Sequence, residues 1–317
     1  MSALASRKTR QSYLGLLILL VMIWILIYTI KPLIAHGPNA LIMSFSQTSI
    51  STLSSRSSKA AVLIESRPLS NIRALLHHYS SVLGPTWPVI FYTSPDLIPL
   101  YQNNKSLQYL LSTTLELRPI PADVDFNSHG SVSAFLTDPF IWRALAPAKH
   151  ILLFQADAII CSASNKNADD FIAEDWHFIG APIPEFYGRG WNGGLSIRNR
   201  ETVLRIIEEE WDVVGRRSGW ARDNAVPRDT KGWHSSYEDQ WFGWQMSERM
   251  ERERGKVGEN RIKLPSIQNA SEFAVEVTYA EKPFGYHQVE RWQSEKLDKI
   301  KEWCPEYTIA LGGSSLA

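Results

Sequence analysis

An apolar run, Ile151-Leu152-Leu153-Phe154, is followed three residues later by a lone carboxylate, Asp157, and then by Ala158-Ile159-Ile160. The first run has the length and β-rich character of a strand buried on both faces. Such a strand has no polar side to turn to water, so helices must cover it above and below, as in an α/β sheet. Burying an unpaired carboxylate costs several kcal/mol or more, so Asp157 must be neutralised or work on something charged. Ligands of open α/β sheets bind beyond the C-terminal ends of the strands. Asp157 is therefore the first candidate for chemistry.

The segments before it follow the same logic. Ala61-Val62-Leu63-Ile64 is a short apolar strand ending at Glu65-Ser66-Arg67. Pro68 and Ser70 open a helix that runs to Leu83, where Gly84-Pro85 stops it. Pro88–Thr93 and Leu115–Ile120 read as two further strands, and a helix is expected over Val132–Ala144. Strands alternating with helices predict one α/β domain with a mainly parallel sheet, spanning residues 59–310, with 311–317 as a flexible tail. After Asp157 the chain turns irregular and rich in Gly, Trp and Pro, with helices expected at Glu201–Trp211 and Tyr237–Gly255.

The N-terminus gives the address. Tyr13–Ile30 is uncharged and dominated by Leu and Ile. Extended through Leu33–Ala35, it is long enough to span a ~30 Å hydrocarbon core at ~1.5 Å per residue. Arg7, Lys8 and Arg10 precede it and Lys31 follows, which keeps residues 1–12 in the cytosol. We expect a single-pass type II membrane protein anchored by residues 13–35. A cleaved signal peptide is the other reading, but the run exceeds the usual h-region and no small-x-small site follows closely. Residues 36–58 are rich in Ser and Thr and read as a stem. The body would lie in the lumen of the secretory pathway, most simply the Golgi. Sequons at Asn104-Lys105-Ser106 and Asn269-Ala270-Ser271 agree with that address. Cys161 and Cys304 are either one disulfide or two buried thiols. Lys plus Arg and Asp plus Glu balance at 33 each and are dispersed, which argues against a nucleic-acid partner.

Three later segments carry candidate chemistry. In Trp191-Asn192-Gly193-Gly194-Leu195-Ser196-Ile197-Arg198, the glycines either form a tight hairpin turn or bring backbone N–H groups against a ligand. Glu238 and Asp239 stand at the start of an aromatic-rich helix. They either favour its positive end by ~0.3–1 kcal/mol or supply a general base, Asp239, with Glu238 orienting a substrate hydroxyl. Trp233, Trp241 and Trp244 would suit the wall of a sugar pocket. His287, paired with Asp157, would leave a divalent ion open to water and phosphate oxygens.

The order of these segments resembles the GT-A fold of nucleotide-sugar-dependent glycosyltransferases. It is most similar to the largely fungal family called domain of unknown function 5672, over about residues 60–290. The resemblance rests on Gln155-Ala156-Asp157-Ala158, Gly180-Ala181-Pro182, Asn192-Gly193-Gly194-Leu195-Ser196 and Glu238-Asp239. It implies a GT-A-like (Rossmann-like) mixed sheet flanked by helices. It also implies that Asp157 and His287 bind Mn²⁺ or Mg²⁺, and that Asp239 is the base of an inverting transfer. Donor and acceptor would meet Gln155, Gly180, Ala181, Pro182, Trp191, Asn192, Gly193, Gly194 and Trp241. The partners implied are a nucleotide-sugar donor and a glycan, glycoprotein or glycolipid acceptor. One departure stands out: where such enzymes carry Asp-x-Asp, this chain reads Gln155-Ala156-Asp157. That departure motivates the alternative of a catalytically inactive lumenal carbohydrate- or partner-binding protein. A glycoside hydrolase would need two carboxylates ~5–10 Å apart across a bond. Glu238 and Asp239 diverge along a helix, leaving Asp157 with Asp239 as the pair for that reading.

Overall fold

The computed structural model describes residues 57–122, 124, 126, 128–211, 218–224, 237–254 and 261–313. The expected anchor, nearly all of the stem, the end of the C-terminal tail and Trp233 lie outside these residues. Among the described residues, no helix is long and apolar enough to cross a membrane.

Six strands form the central sheet in the order β3-β2-β1-β4-β7-β6. They are β1 (Lys59–Ile64), β2 (Val89–Thr93), β3 (Leu115–Pro119), β4 (His150–Phe154), β6 (Phe178–Pro182) and β7 (Trp191–Asn199). The first four pair in parallel, whereas β7 runs antiparallel to both β4 and β6. The fold is thus mixed α/β with a mainly parallel sheet, as the alternating pattern predicts. A second, three-stranded sheet joins β5 (Ala158–Ile160), β9 (Gly285–His287) and β8 (Ala274–Val275).

Both faces of the large sheet are dry. Along β1, Ala61 and Leu63 enter one apolar cluster while Ala60 and Val62 enter the other, as strand alternation requires. Helix α1 (Ile72–Leu83) covers the first face, stacking Tyr79 on Phe154 with ring centroids 3.7 Å apart. The opposite face carries α2 (His129–Leu136), α3 (Arg200–Glu209) and α4 (Glu238–Arg252). Cys161 and Cys304 form a disulfide that ties the end of β5 to the C-terminal segment.

The helix expected over Val132–Ala144 is two helices. Pro139 cannot donate a backbone N–H to the preceding turn. Asp138 caps a new start instead, its Oδ1 accepting from the Phe140 N–H at 2.7 Å.

Candidate functional site

The site begins where β1 and β4 end. β1 lies between β2 and β4, so the strand order reverses there and opens a crevice beyond the carboxyl ends. Glu65-Ser66-Arg67 leave β1 and Gln155-Ala156-Asp157 leave β4, and together they line a cavity of about 510 Å³. Buried Glu65 accepts from both Nε and Nη2 of Arg67, at 2.9 and 2.7 Å. A second cavity, of about 340 Å³, is lined by the Asn192-Gly193-Gly194 bend, Glu238, Asp239 and His287. The two share His129, Val132, Gln155 and Gln288 as lining residues, so they adjoin.

Strand pairing delivers the first charged cluster. In the small sheet, His287 of β9 pairs with Ala158, the residue after Asp157. Its Nε2 lies 3.4 Å from Asp157 Oδ1 and 3.0 Å from Gln155 Oε1, and its Nδ1 lies 3.3 Å from Glu276 Oε1. Gln288, in the left-handed backbone region at φ 48°, donates its Nε2 to Asp157 Oδ2 at 2.7 Å. Burial alone would depress the His287 pKa. The Asp157 and Glu276 carboxylates overcome it and raise the value to about 10. Burial conversely favours neutral Asp157, yet the His287 charge and the bonds from His287 and Gln288 hold its pKa below the usual range.

The second cluster sits at the start of α4. Glu238 Oε1 accepts from Nη2 of Arg198 at 3.1 Å, and its Oε2 lies 3.4 Å from the Ser133 hydroxyl. Arg198 is fully buried near the end of β7, with its guanidinium 4.6 Å from the Phe178 ring centroid and 5.7 Å from that of Phe242. Among the described residues Asp239 makes no ion pair, although the Arg198 charge nearby lowers its pKa somewhat. Its Oδ2 accepts from Gly193 N–H at 2.8 Å and its Oδ1 from Gln240 N–H at 2.7 Å. Burial first, and then the neighbouring Glu238 charge, raises its pKa to about 7.

The two glycines separate these clusters. Asn192 Oδ1 closes the bend by accepting from Gly194 N–H at 2.7 Å. A Cβ on Gly193 would stand 2.5 Å from Arg198 Nη2 and 2.9 Å from Glu238 Oε1, and one on Gly194 would stand 2.3 Å from His287 Nε2. Successive strand residues face opposite ways, so each glycine admits a different cluster against the backbone.

The structure thus brings Gln155, Asp157, Asn192, Gly193, Gly194, Glu238, Asp239 and His287 into one region. Five other residues expected at the site stand apart from these two cavities. Trp241 is fully buried in the core beside Phe242 and lines neither cavity. Gly180, Ala181 and Pro182 form buried β6 and line neither cavity either. The reason for glycine at 180 is packing, since a Cβ there would meet the Asn192 carbonyl oxygen at 2.2 Å. Trp191 is half-buried against Phe178, with ring centroids 6.1 Å apart, and lines neither cavity. Arg198, Glu276 and Gln288 were not singled out in the sequence. A charged residue directly after the strand run Leu195-Ser196-Ile197 was the one signal that pointed to Arg198.

The donor set can be tested for a cation. If the Nδ1 proton points at Glu276, a neutral His287 presents a bare Nε2 to Asp157 Oδ1 and Gln155 Oε1. Three acceptors then face one another, and only a second proton or a cation relieves them. Glu276 occupies the position of a carboxylate that orients a ligating histidine. Among the described residues, no group of three or more His, Cys, Asp or Glu side chains is arranged to hold a metal ion. A cation would enter here only by displacing the proton that His287 holds between Asp157 and Glu276, and would take its remaining oxygens from substrate and water.

The fold and the site define a mixed α/β protein with adjoining ligand cavities at the carboxyl edge of its sheet. The chain belongs to the family described as protein of unknown function (DUF5672), whose model matches residues 114–287. No curated protein matches its sequence. Among solved structures, it is similar to the glycosyltransferase GlyE of Streptococcus pneumoniae TIGR4 at 11% identity and a TM-score of 0.40, covering 72% of this chain and 54% of that one. The chain thus spans about half the length of GlyE. It is also similar to the galactosyltransferase LgtC, solved with donor and acceptor sugar analogues (10% identity, TM-score 0.38, 81% and 97% covered). A third similarity is to the mannosyltransferase PcManGT of Pyrobaculum calidifontis, solved with GDP-Man and Mn²⁺ (13% identity, TM-score 0.37, 67% and 68% covered).

Proposed function

We propose that the protein is a glycosyltransferase that moves a sugar from a nucleotide-sugar donor to a hydroxyl acceptor with inversion. The observation that carries this reading is the pairing of two unlike acidic clusters across one Gly-Gly strand. Asp157 is held as an anion at the mouth of the larger cavity, and Asp239 is held near neutrality beside the smaller one.

Asp157, Gln155 and a His287 that has given up its proton would hold a Mn²⁺ or Mg²⁺ ion, which would supply charge neutralisation for the departing diphosphate. A base with a pKa near 7 is matched to removing a proton from an alcohol at neutral pH. Asp239 accepts that proton as the acceptor oxygen forms its bond to the anomeric carbon, and the nucleoside diphosphate leaves from the opposite face. A base placed this way needs no covalent sugar–enzyme intermediate, which favours inversion. Gly193 N–H and Gln240 N–H keep the carboxylate aimed while it works. Glu238, bonded by Arg198, sets its charge beside Asp239 and helps to raise the pKa of that base.

The disulfide fits an oxidising compartment, in keeping with a type II protein anchored by residues 13–35 and working in the Golgi lumen. The test is consumption of a panel of nucleotide sugars by the full-length protein with Mn²⁺, before and after Asp239→Asn. Loss of turnover with an unchanged unfolding midpoint is expected. Equal turnover by the variant would remove Asp239 from the mechanism. Binding of free sugars with no binding of any nucleotide would favour the non-catalytic alternative.

A further inference from the structure

We infer that the acceptor is an oligosaccharide of at least two units, whose penultimate sugars lie on an aromatic platform built from Trp292, Tyr187 and Phe186. This inference rests on the assignment of the Asp239 cavity to the acceptor, and it adds the class of molecule that enters it.

Three rings run outward from the cavity. Trp292, at the end of α5 (Val289–Trp292), and Tyr187 both line it, with centroids 4.9 Å apart. Phe186 continues the row beyond the rim, its centroid 4.3 Å from that of Tyr187. Phe186 is 75% exposed and Tyr187 47% exposed. Single exposed aromatics are ordinary surface, but a contiguous row at the mouth of a cavity marks a binding surface. On the opposing wall, Tyr237 stands edge-on to His129, with centroids 5.8 Å apart.

The platform is fastened to the proposed base. Gln240, next to Asp239, donates its Nε2 to the Tyr187 carbonyl at 3.2 Å. Its side chain fills the space that a Cβ on Gly188 would take, at 2.2 Å, and Gly188 itself has φ +137°. The turn is closed by Tyr187 N–H to the Pro184 carbonyl at 2.9 Å and Ile183 N–H to the Gly190 carbonyl at 3.0 Å. The rings are therefore presented by a built loop rather than left at the surface by default.

The chemistry of the occupant follows from what surrounds the rings. The cavity floor is made of Asp239, Glu238 and Asn192, and Arg291 lies over Trp292 at 4.7 Å. A hydrocarbon chain would meet carboxylates there with nothing to offer them. A sugar presents an apolar C–H face to an aromatic ring and hydroxyls at its rim to carboxylates, amides and guanidinium. The row extends past the cavity, so one ring cannot occupy both Asp239 and Phe186.

The experiment titrates the full-length protein, held in a detergent without a sugar headgroup, by calorimetry. Probes are maltotriose, cellotriose, chitotriose and α-1,6-mannotriose, each against its own monosaccharide. At least one trisaccharide should bind ten-fold or more tightly than its monosaccharide. The Phe186→Ala/Tyr187→Ala double variant should reduce that ratio to within about two-fold, and Phe186→Trp should retain it. Tyr109→Ala, 73% exposed on another surface, should leave the ratio unchanged. A ratio that survives in the double variant overturns the inference, as does a panel in which no trisaccharide gains more than three-fold. An n-octyl monosaccharide that matches the trisaccharide gain assigns the rings to an apolar chain and overturns it too. Nucleotide-sugar turnover separates the two readings. Turnover with an unaltered ratio keeps the transferase and removes the platform, whereas a platform-dependent ratio without nucleotide binding does the reverse.

Discussion

Two clusters of like parts meet at strand β7, and they do opposite things with charge. Each contains two carboxylates and one cationic side chain. In the first, His287 lies between Asp157 and Glu276, so the Asp157 pKa is held down and that of the imidazole is raised to about 10. In the second, Arg198 pairs with Glu238 and donates to the Ser196 hydroxyl, and buried Asp239 lies beside the Glu238 charge with two backbone amides for support. Its pKa rises to about 7. Burial pushes both Asp157 and Asp239 towards the neutral form, and the cation placed against Asp157 is what brings that one back down.

The largest expected effect separates proton transfer from charge. Asp239→Asn keeps the shape of the side chain and removes the base, so nucleotide-sugar turnover should fall by about 10²–10⁴-fold. The unfolding midpoint, read on the same sample, should stay close to that of the parent protein, because the buried acid is gone while the amide can accept from only one of the Gly193 and Gln240 N–H groups.

Next in size is the removal of the cation from the second cluster. Arg198→Met leaves Glu238 buried without its partner and should cost about 3–5 kcal/mol in denaturant unfolding. A loss under 1 kcal/mol would mean that Glu238 takes up a proton instead, and the contrast between the clusters would weaken.

The two glycines allow each cluster to be disturbed separately. Gly194→Ala drives a methyl group into the His287 ring, and Gly193→Ala drives one into Arg198 and Glu238. Each should cost about 1–3 kcal/mol as overpacking. Only Gly194→Ala should shift the His287 imidazole resonances, and only Gly193→Ala should move the pH midpoint of turnover. Equal effects of both on both readouts would show that the clusters act as one network.

The most gradual effect is a slope in pH. Asp239 titrates near 3.8 when unfolded and near 7 when folded. Between those values the folded state binds the extra proton, so stability falls as pH rises from about 4 to about 7 and flattens above. The slope is at most about 1.4 kcal/mol per pH unit. Turnover moves the other way, rising through about pH 7 as the base loses its proton. Asp239→Asn should remove its share of the stability slope, measured as unfolding midpoints across pH 4–8.

Much of the framework was readable in the chain. The run Ile151–Phe154 has no polar alternation, and it became a central strand covered on both faces. Its position between β1 and β7 put Asp157 at the crevice. Gly193 and Gly194 were recognisable as a place where something approaches the backbone, but not as a place where two different things do. Trp241 shows the limit. A tryptophan on a helix suits a core and a sugar pocket equally well, and only the packing of α4 against the sheet turned this one inward. Phe186 and Tyr187, hidden in an irregular loop without periodicity, turned out to be the exposed rings.

The sequence by itself determined the alternation of strands and helices, the doubly buried β4, and the residue types that carry chemistry. Hydrophobic period and turn residues are local properties, and they act within a few positions along the chain. The tertiary structure alone decided which charges share a site. Arg198 meets Glu238 across 40 positions, and Gln155 meets His287 across 132. Those encounters follow from strand order and register, and they set the pKa values on which the proposed chemistry depends.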